Sequence, residues 1–188
     1  MRKQFYRLMP VGIVSFAISL FAAGIMYAGE EEEVLAKAVV LSQFSLYDCV
    51  ARVSKGAAIA ISAKFEMDEA GKLSLSIYSA DGGLAKDSEK NTYSEISGDP
   101  TVKSLKTESA AITDPGDLKA AKEQLKVLSA SKLSLLGLIG RAQKEQPGIL
   151  ISATPALENQ KPCCVFMILA KGKTVKVVYD VVTGKKIP

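Results

Sequence analysis

The strongest constraint on the fold of this 188-residue chain is an internal repeat. The segment SLYDCVARVSKGAAIAISA, which begins at Ser45, resembles SLLGLIGRAQKEQPGILISA, which begins at Ser134. The similarity continues after a one-residue step, so that Ala80 matches Ala170. A duplicated sequence predicts two structural units of one design.

The N-terminal residues have the pattern of a secretory signal. Basic side chains within the first seven positions precede an apolar run at residues 11–27. We expect residues 1–28 to be a signal peptide cleaved after Ala28, and no cysteine lies near that position to accept a lipid. The alternative is an uncleaved anchor, since residues 11–28 are just long enough to span a bilayer. Membrane contact is expected only through this segment, if it remains, and the protein is predicted to be periplasmic or secreted.

Charge and histidine content exclude several functions. Three of the 24 Lys and Arg lie in the signal segment and none of the 20 Asp and Glu do, so the remaining chain carries a net charge of about +1. Nucleic-acid binding is not expected without a clustered basic surface. The chain has no histidine, which removes Ser-His-Asp and Cys-His catalysis and histidine-ligated metals. We therefore predict a non-enzymatic protein with no catalytic residues, no metal and no cofactor.

The first unit is assigned to residues 29–100. Apolar residues at helical spacing predict two helices, the second capped by Ser42 or Ser45 and ended by Gly56. Alternating apolar residues on either side of a turn at 68–71 then predict a β-hairpin, and a weaker strand pattern follows it. Residues 101–113, rich in Ser, Thr and Lys, are assigned to a linker.

The second unit is assigned to residues 114–188. Asp114 as cap and Pro115 in the first turn predict a helix start, and Ser131 or Ser134 begins a second helix. Alternation predicts three strands, at residues 149–154, 163–169 and 174–181. The predicted fold class is α+β, with two repeated units, each having helices packed on one face of a small antiparallel sheet.

The last strand runs into a turn built from Asp180, Thr183, Gly184 and Lys185. Asp180 can accept backbone N–H bonds, and Gly184 allows the positive φ of a tight reversal. With the preceding helix and hairpin, the ending VKVVYDVVTGKKI resembles the PepSY domain family, which closes on a strand and an Asp-x-x-Thr-Gly-Lys turn. The first unit matches this ending more loosely, with Ser94 in place of the aspartate.

Tandem secreted units of this kind also resemble the β-lactamase-inhibitor-like branch of PepSY-like proteins. The resemblance implies an exported, non-enzymatic module that binds or regulates a protein or peptide, with inhibition of an envelope or secreted enzyme as one form of regulation. The competing interpretation is a structural or small-ligand-binding envelope protein that forms homo-oligomers such as a homodimer. Partner identity does not follow from the sequence.

Three cysteines, Cys49, Cys163 and Cys164, lie in the mature chain. Buried apolar residues are one interpretation of this odd number. In an oxidising compartment, a disulfide from Cys49 to Cys163 or Cys164 is the alternative, and it would link the two units.

The two units differ on the outer face of the hairpin, where the second unit is apolar. A sheet with two apolar faces must pack against something on each side. We expect Phe166, Ile168 and Val178 to line a contact surface, with Tyr179 nearby. This surface is expected either to pack against the first unit, the linker helix or a second copy of the chain, or to bind an external partner.

Overall fold

The computed structural model describes residues 30–54 and 56–187, and the predicted signal segment lies outside the described residues. The elements are α1 (Glu30–Val39), α2 (Leu46–Val53), β1 (Ile59–Met67), β2 (Leu73–Ala80), a 3₁₀ turn (Gly83–Ala85), β3 (Tyr93–Gly98), β4 (Thr107–Ala111), α3 (Pro115–Ser129), α4 (Leu135–Glu145), β5 (Ile149–Glu158), β6 (Lys161–Ala170), β7 (Lys173–Asp180) and β8 (Lys186–Ile187).

The strands form one eight-stranded sheet in the order β4-β3-β2-β1-β5-β6-β7-β8. Every neighbouring pair is antiparallel. The expectation of two units with separate small sheets is therefore wrong. Strand β1 pairs directly with β5, with Ala63 opposite Ala153 and Lys64 opposite Ser152, and this pairing makes the sheet continuous.

The β1–β5 junction has an approximate two-fold relationship. Ala63 and Ala153 are matching positions of the sequence repeat, and they lie opposite each other with 2% and 0% of their surface exposed. Each hairpin has a register shift at the same place, between Ala60 and Ser62 in β1 and between residues 150 and 152 in β5. Because these equivalent residues face each other across an antiparallel pair, the approximate two-fold axis passes between Ala63 and Ala153 and is perpendicular to the sheet.

Helices cover both faces of this sheet, rather than one face as expected. One row of partners crosses the middle strands on the first face: Ile77, Ala63, Ala153, Phe166 and Val177. Side chains alternate between faces along a strand, so Tyr179 shares this face and Tyr78 lies on the other. The Tyr179 hydroxyl bonds to Glu145 of α4, whereas Tyr78 lies beside Asp117 of α3.

Helix α2 packs beside α4 on the first face. A Cβ built on Gly140 of α4 would lie 3.2 Å from the Tyr47 ring of α2, so glycine permits the close approach. We call this side the α2/α4 face and the opposite side the α3 face. The remaining helix, α1, contacts β1, β2 and β7.

The predicted linker at 101–113 contains a strand. Residues Thr107–Ala111 form β4 and pair with β3 at the edge of the sheet. All five residues are exposed, because the strand is polar or small on both sides and lies outside the core. Apolar periodicity therefore gave no sign of it.

Several local predictions are confirmed. Asp114 caps α3 with Pro115 in its first turn, and the caps of α2 and α4 are Ser45 and Ser134. Strand β5 is longer than predicted, since it continues through Pro155 to Glu158. Beyond its pairing with β1, strand β5 has a neighbouring strand on one side only. Pro155, which has no N–H to donate, is therefore tolerated there. Among the described residues, no helix is both long and apolar enough to cross a membrane.

Gly148, between α4 and β5, should be sensitive to substitution. Its φ is +135°, and an added Cβ would lie 2.5 Å from the Leu169 carbonyl oxygen. Gly172 has a φ of +76° but open space around the same position. We expect Gly172→Ala to cost about 1–2 kcal/mol of unfolding free energy from backbone strain. Gly148→Ala should cost clearly more in the same denaturant titration, and equal losses would contradict this packing.

Candidate functional site

Most of the predicted contact residues are part of the core. Phe166, Ile168 and Tyr179 are 0%, 2% and 0% exposed on the α2/α4 face. The Phe166 and Tyr179 rings meet edge to face, with centroids 5.5 Å apart. These three side chains cannot line an exposed surface, and the outer and inner faces of β6 are the reverse of the prediction. Val178 lies on the α3 face and is half-buried.

Tyr179 ties the sheet to α4. Its hydroxyl donates to Glu145 at 2.8 Å, and Arg141 holds the other carboxylate oxygen at 3.0 Å. Burial raises the pKa of Tyr179, while the hydrogen bonds from Tyr179 and Arg141 lower the pKa of Glu145. Glu145 is therefore stabilised as a carboxylate and Tyr179 as a neutral phenol. Their hydrogen bond holds α4 against the sheet, which is a structural role.

The closing turn has the geometry that its residues indicate. Asp180 accepts the backbone N–H groups of Val182 and Thr183 at 2.9 and 2.8 Å, and these bonds lower its pKa. Gly184 has a φ of +67°, and the Lys185 N–H points to the Thr183 hydroxyl at 3.3 Å. These bonds fix the conformation of the chain at the end of β7, which is a structural role.

The first half has its own closing aspartate, which is Asp99 rather than a residue at position 94. Asp99 accepts the Thr101 N–H at 2.8 Å, directly after β3. The Pro100 carbonyl accepts from Ser42, just as the Val181 carbonyl accepts from Ser131. In the sheet register, Ile59 lies opposite Ala80 and Ala80 opposite Tyr93, whereas the equivalent Ile149 lies opposite Leu169 and Leu169 opposite Thr174. Tyr93 therefore corresponds to Thr174 rather than Tyr179.

The three cysteines are free and buried in the structure. Cys49 lies on α2 and Cys164 on the α2/α4 face, whereas the Cys163 thiol points to the other face and donates to the Ala156 carbonyl at 3.3 Å. Burial raises the pKa of Cys49 to about 12 and raises those of Cys163 and Cys164. Thiols of this kind are poor nucleophiles and metal ligands.

A group of polar and titratable side chains lies under the start of α3. The Ser76 hydroxyl donates to Glu95 at 2.6 Å, and Tyr78 lies beside Asp117. Burial raises the pKa of Tyr78 and that of Asp117. A phenol with a raised pKa is a weaker nucleophile, so we interpret the group as a junction between helix and sheet. In residues 30–54 and 56–187, no three His, Cys, Asp or Glu side chains are grouped as a metal site would require.

The best candidate contact surface lies on the α3 face of β6 and β7. Val165, Val178 and Ile187 form one row of strand partners, and Met167 is two residues along β6. All four are half-buried. We call these residues the apolar strip. Lys176, the partner of Met167, lies next to it and pairs with Glu158.

Charge is divided unevenly along the sheet. The first half, residues 30–113, has 14 acidic and 9 basic side chains, whereas the second half, residues 114–187, has 6 acidic and 12 basic. The net charges are therefore −5 and +6. Counting charge per unit, instead of over the whole mature chain, would have revealed this from sequence.

Comparison with known proteins gives little further information. No family model matches the chain, and no curated protein matches it. Among solved structures, the chain matches one described as "a putative lipoprotein" from Clostridium difficile 630, at 15% identity and a TM-score of 0.40, over 78% of this chain and 92% of that chain. A likeness at this level shows neither family nor function.

Substitution of Phe166 should distinguish a core position from a surface one. We expect Phe166→Ala to lower the unfolding free energy by about 3–5 kcal/mol, because it opens a cavity under α4. Val165→Ala, at the neighbouring and only partly buried position, should cost only about 1 kcal/mol. Chemical denaturation followed by circular dichroism measures both. A Phe166→Ala protein as stable as the wild type would contradict the buried position.

Proposed function

We propose that this chain is an exported, non-enzymatic protein that binds a protein or peptide partner through the apolar strip. The row of Val165, Val178 and Ile187, which is only partly buried, carries the proposal. Apolar side chains of adjacent strands that remain in reach of solvent are typical of a contact surface. The matching hairpin of the first half has Ser74 and Ser76 on this face and offers no equivalent.

The charge around the strip favours a partner with an acidic rim. Lys161 lies at the start of β6 on the same face as the strip, and Lys176 beside the strip is paired with Glu158. The second half as a whole carries the net charge of +6 derived above. An acidic border on the partner would increase the association rate and fix its orientation.

Export is supported by the sequence of residues 1–28, with basic residues followed by an apolar run. The chain has no histidine and its three thiols are buried, which supports a non-enzymatic role. The resemblance to PepSY modules is consistent with a protein that regulates the partner it binds. Inhibition of an envelope or secreted enzyme is one form of such regulation.

One experiment tests both export and binding. The full chain, with a C-terminal tag, is produced in cells and recovered from the extracytoplasmic fraction, and its mass is measured. We expect loss of residues 1–28 and a specific crosslinked partner. Val178→Lys should weaken capture by at least about tenfold, which corresponds to about 1.4 kcal/mol.

The matched control is Val182→Lys, which adds the same charge at an exposed position beyond β7. It should capture the partner as the wild type does, and circular dichroism should show both variants folded. Equal capture by Val178→Lys and wild type would rule out the apolar strip as the binding surface. A cytoplasmic protein that retains residues 1–28 would contradict export.

A further inference from the structure

Helix α1 is the counterpart of α3 in the approximate two-fold relationship. The Ser42 hydroxyl after α1 donates to the Pro100 carbonyl, and the Ser131 hydroxyl after α3 donates to the Val181 carbonyl in the same way. Each helix thus precedes the same hydrogen bond in its own half. A two-fold axis perpendicular to the sheet keeps equivalent elements on one face, so α1 lies on the α3 face.

Helix α1 extends across the sheet as far as β7. Its C-terminal end lies near β3, because the Gln43 N–H donates to the Pro100 carbonyl at 2.8 Å just after that strand. β7 is five strands away from β3, so the contact of α1 with β7 belongs to its N-terminal end. Helix α4 covers β7 on the other face, where Tyr179 bonds to Glu145. The N-terminal end of α1 therefore lies against β7 on the face of the apolar strip.

Only the C-terminal end of α1 is anchored in the core. Among residues 31–39, Val39 is the one buried residue, with 1% of its surface exposed, and Val34 is 50% exposed. Leu35, Ala36 and Ala38 are partly buried. In α3, by contrast, five residues are buried: Ala121, Gln124, Leu125, Val127 and Leu128. The two equivalent helices thus differ greatly in the apolar surface that holds them to the sheet.

Polar contacts also hold α3 more firmly than α1. Lys122 and Lys126 of α3 both pair with Glu89 in the loop after β2, at 2.8 Å. The ion pair of α1, between Lys37 and Glu33 at 2.7 Å, lies within the helix. In the part of the chain that the structure describes, no side-chain hydrogen bond or ion pair joins residues 31–39 to another element. A segment with few buried contacts opens locally at low cost in free energy.

The acidic end of α1 lies over the basic half of the chain. Residues 31–33 are all glutamates, and they belong to the end of the helix that reaches β7. Strand β7 is part of residues 114–187, whose net charge is +6. The acidic rim of the proposed partner would complement the same charge. Helix α1 therefore supplies, within the chain, the charge that a partner would bring.

We propose that α1 is a displaceable strap that covers the β7 side of the apolar strip and that the partner replaces when it binds. The inference rests on the proposed binding at the strip. An isolated helix of 10 residues is marginal in water, so α1 also unravels when it leaves the sheet, as far as Val39 in the core. The fraction of molecules with α1 open then limits the apparent affinity for the partner.

The test combines amide hydrogen exchange with binding, on the chain from residue 29 onward, which contains every described element. Ala36→Gly lowers the helix propensity of α1 and should raise the open fraction about fivefold. Ala120→Gly is the matched control, because it makes the same change in α3. Exchange is followed in residues 31–38 and 121–128 of the free chain. Affinity is measured for the purified partner from the crosslinking experiment.

We expect residues 31–38 of the free wild type to exchange at least about 100-fold faster than residues 121–128. Ala36→Gly should speed exchange in α1 and bind the partner about fivefold more tightly, because more molecules are open. Ala120→Gly should leave exchange in α1 and the affinity unchanged. In the complex, residues 31–38 should lose their remaining protection, while residues 121–128 keep theirs.

Exchange in α1 that is as slow as in residues 121–128 would overturn the strap. So would an Ala36→Gly variant whose α1 opens more often while its affinity stays at the wild-type value, since α1 would then fray without competing. Neither result affects the strip, which Val178→Lys tests. Equal capture by Val178→Lys and the wild type would instead overturn the strip and the competition for it, while exchange in the free chain, which involves no partner, decides separately whether α1 opens.

Discussion

The pairing of β1 with β5 is the interaction on which the rest of the structure depends. It converts two hairpins into one sheet, and it is short, with residue pairs at Ala63–Ala153 and Lys64–Ser152. Small side chains at its centre let α2 and α4 pack over the junction. These helices cover the central row of the core, so the two halves share one apolar interior rather than meeting at an interface.

The approximate two-fold relationship explains why the same hydrogen bond occurs in both halves. A serine before the second helix of each half bonds to the carbonyl of the residue after a closing aspartate, at Pro100 in one half and Val181 in the other. The two halves differ in their outer strands and in their net charge. The internal pairing uses equivalent residues about an axis, whereas the two edges of the sheet, at β4 and β8, are not equivalent.

The sequence predicted the local elements well, but it did not predict how the strands are arranged in the sheet. Helix starts at Asp114 and Ser134 follow from capping chemistry, which depends on neighbouring residues only. The β1–β5 pairing depends on residues ninety positions apart, and nothing in alternation says which strands become neighbours. The inward face of β6 was misassigned because Cys163 to Ala170 is apolar on both sides, so its period-two pattern fits either orientation. Of the predicted contact residues, only Val178 is partly exposed, and its role in binding stays a prediction.

The most direct test of this account is nuclear Overhauser contact between backbone protons of β1 and β5. A single sheet predicts cross-strand contacts between Ala63 and Ala153 and between Lys64 and Ser152 in the monomeric chain. The absence of these contacts, together with intact contacts between β1 and β2 and between β5 and β6, would show two separate sheets and contradict the account.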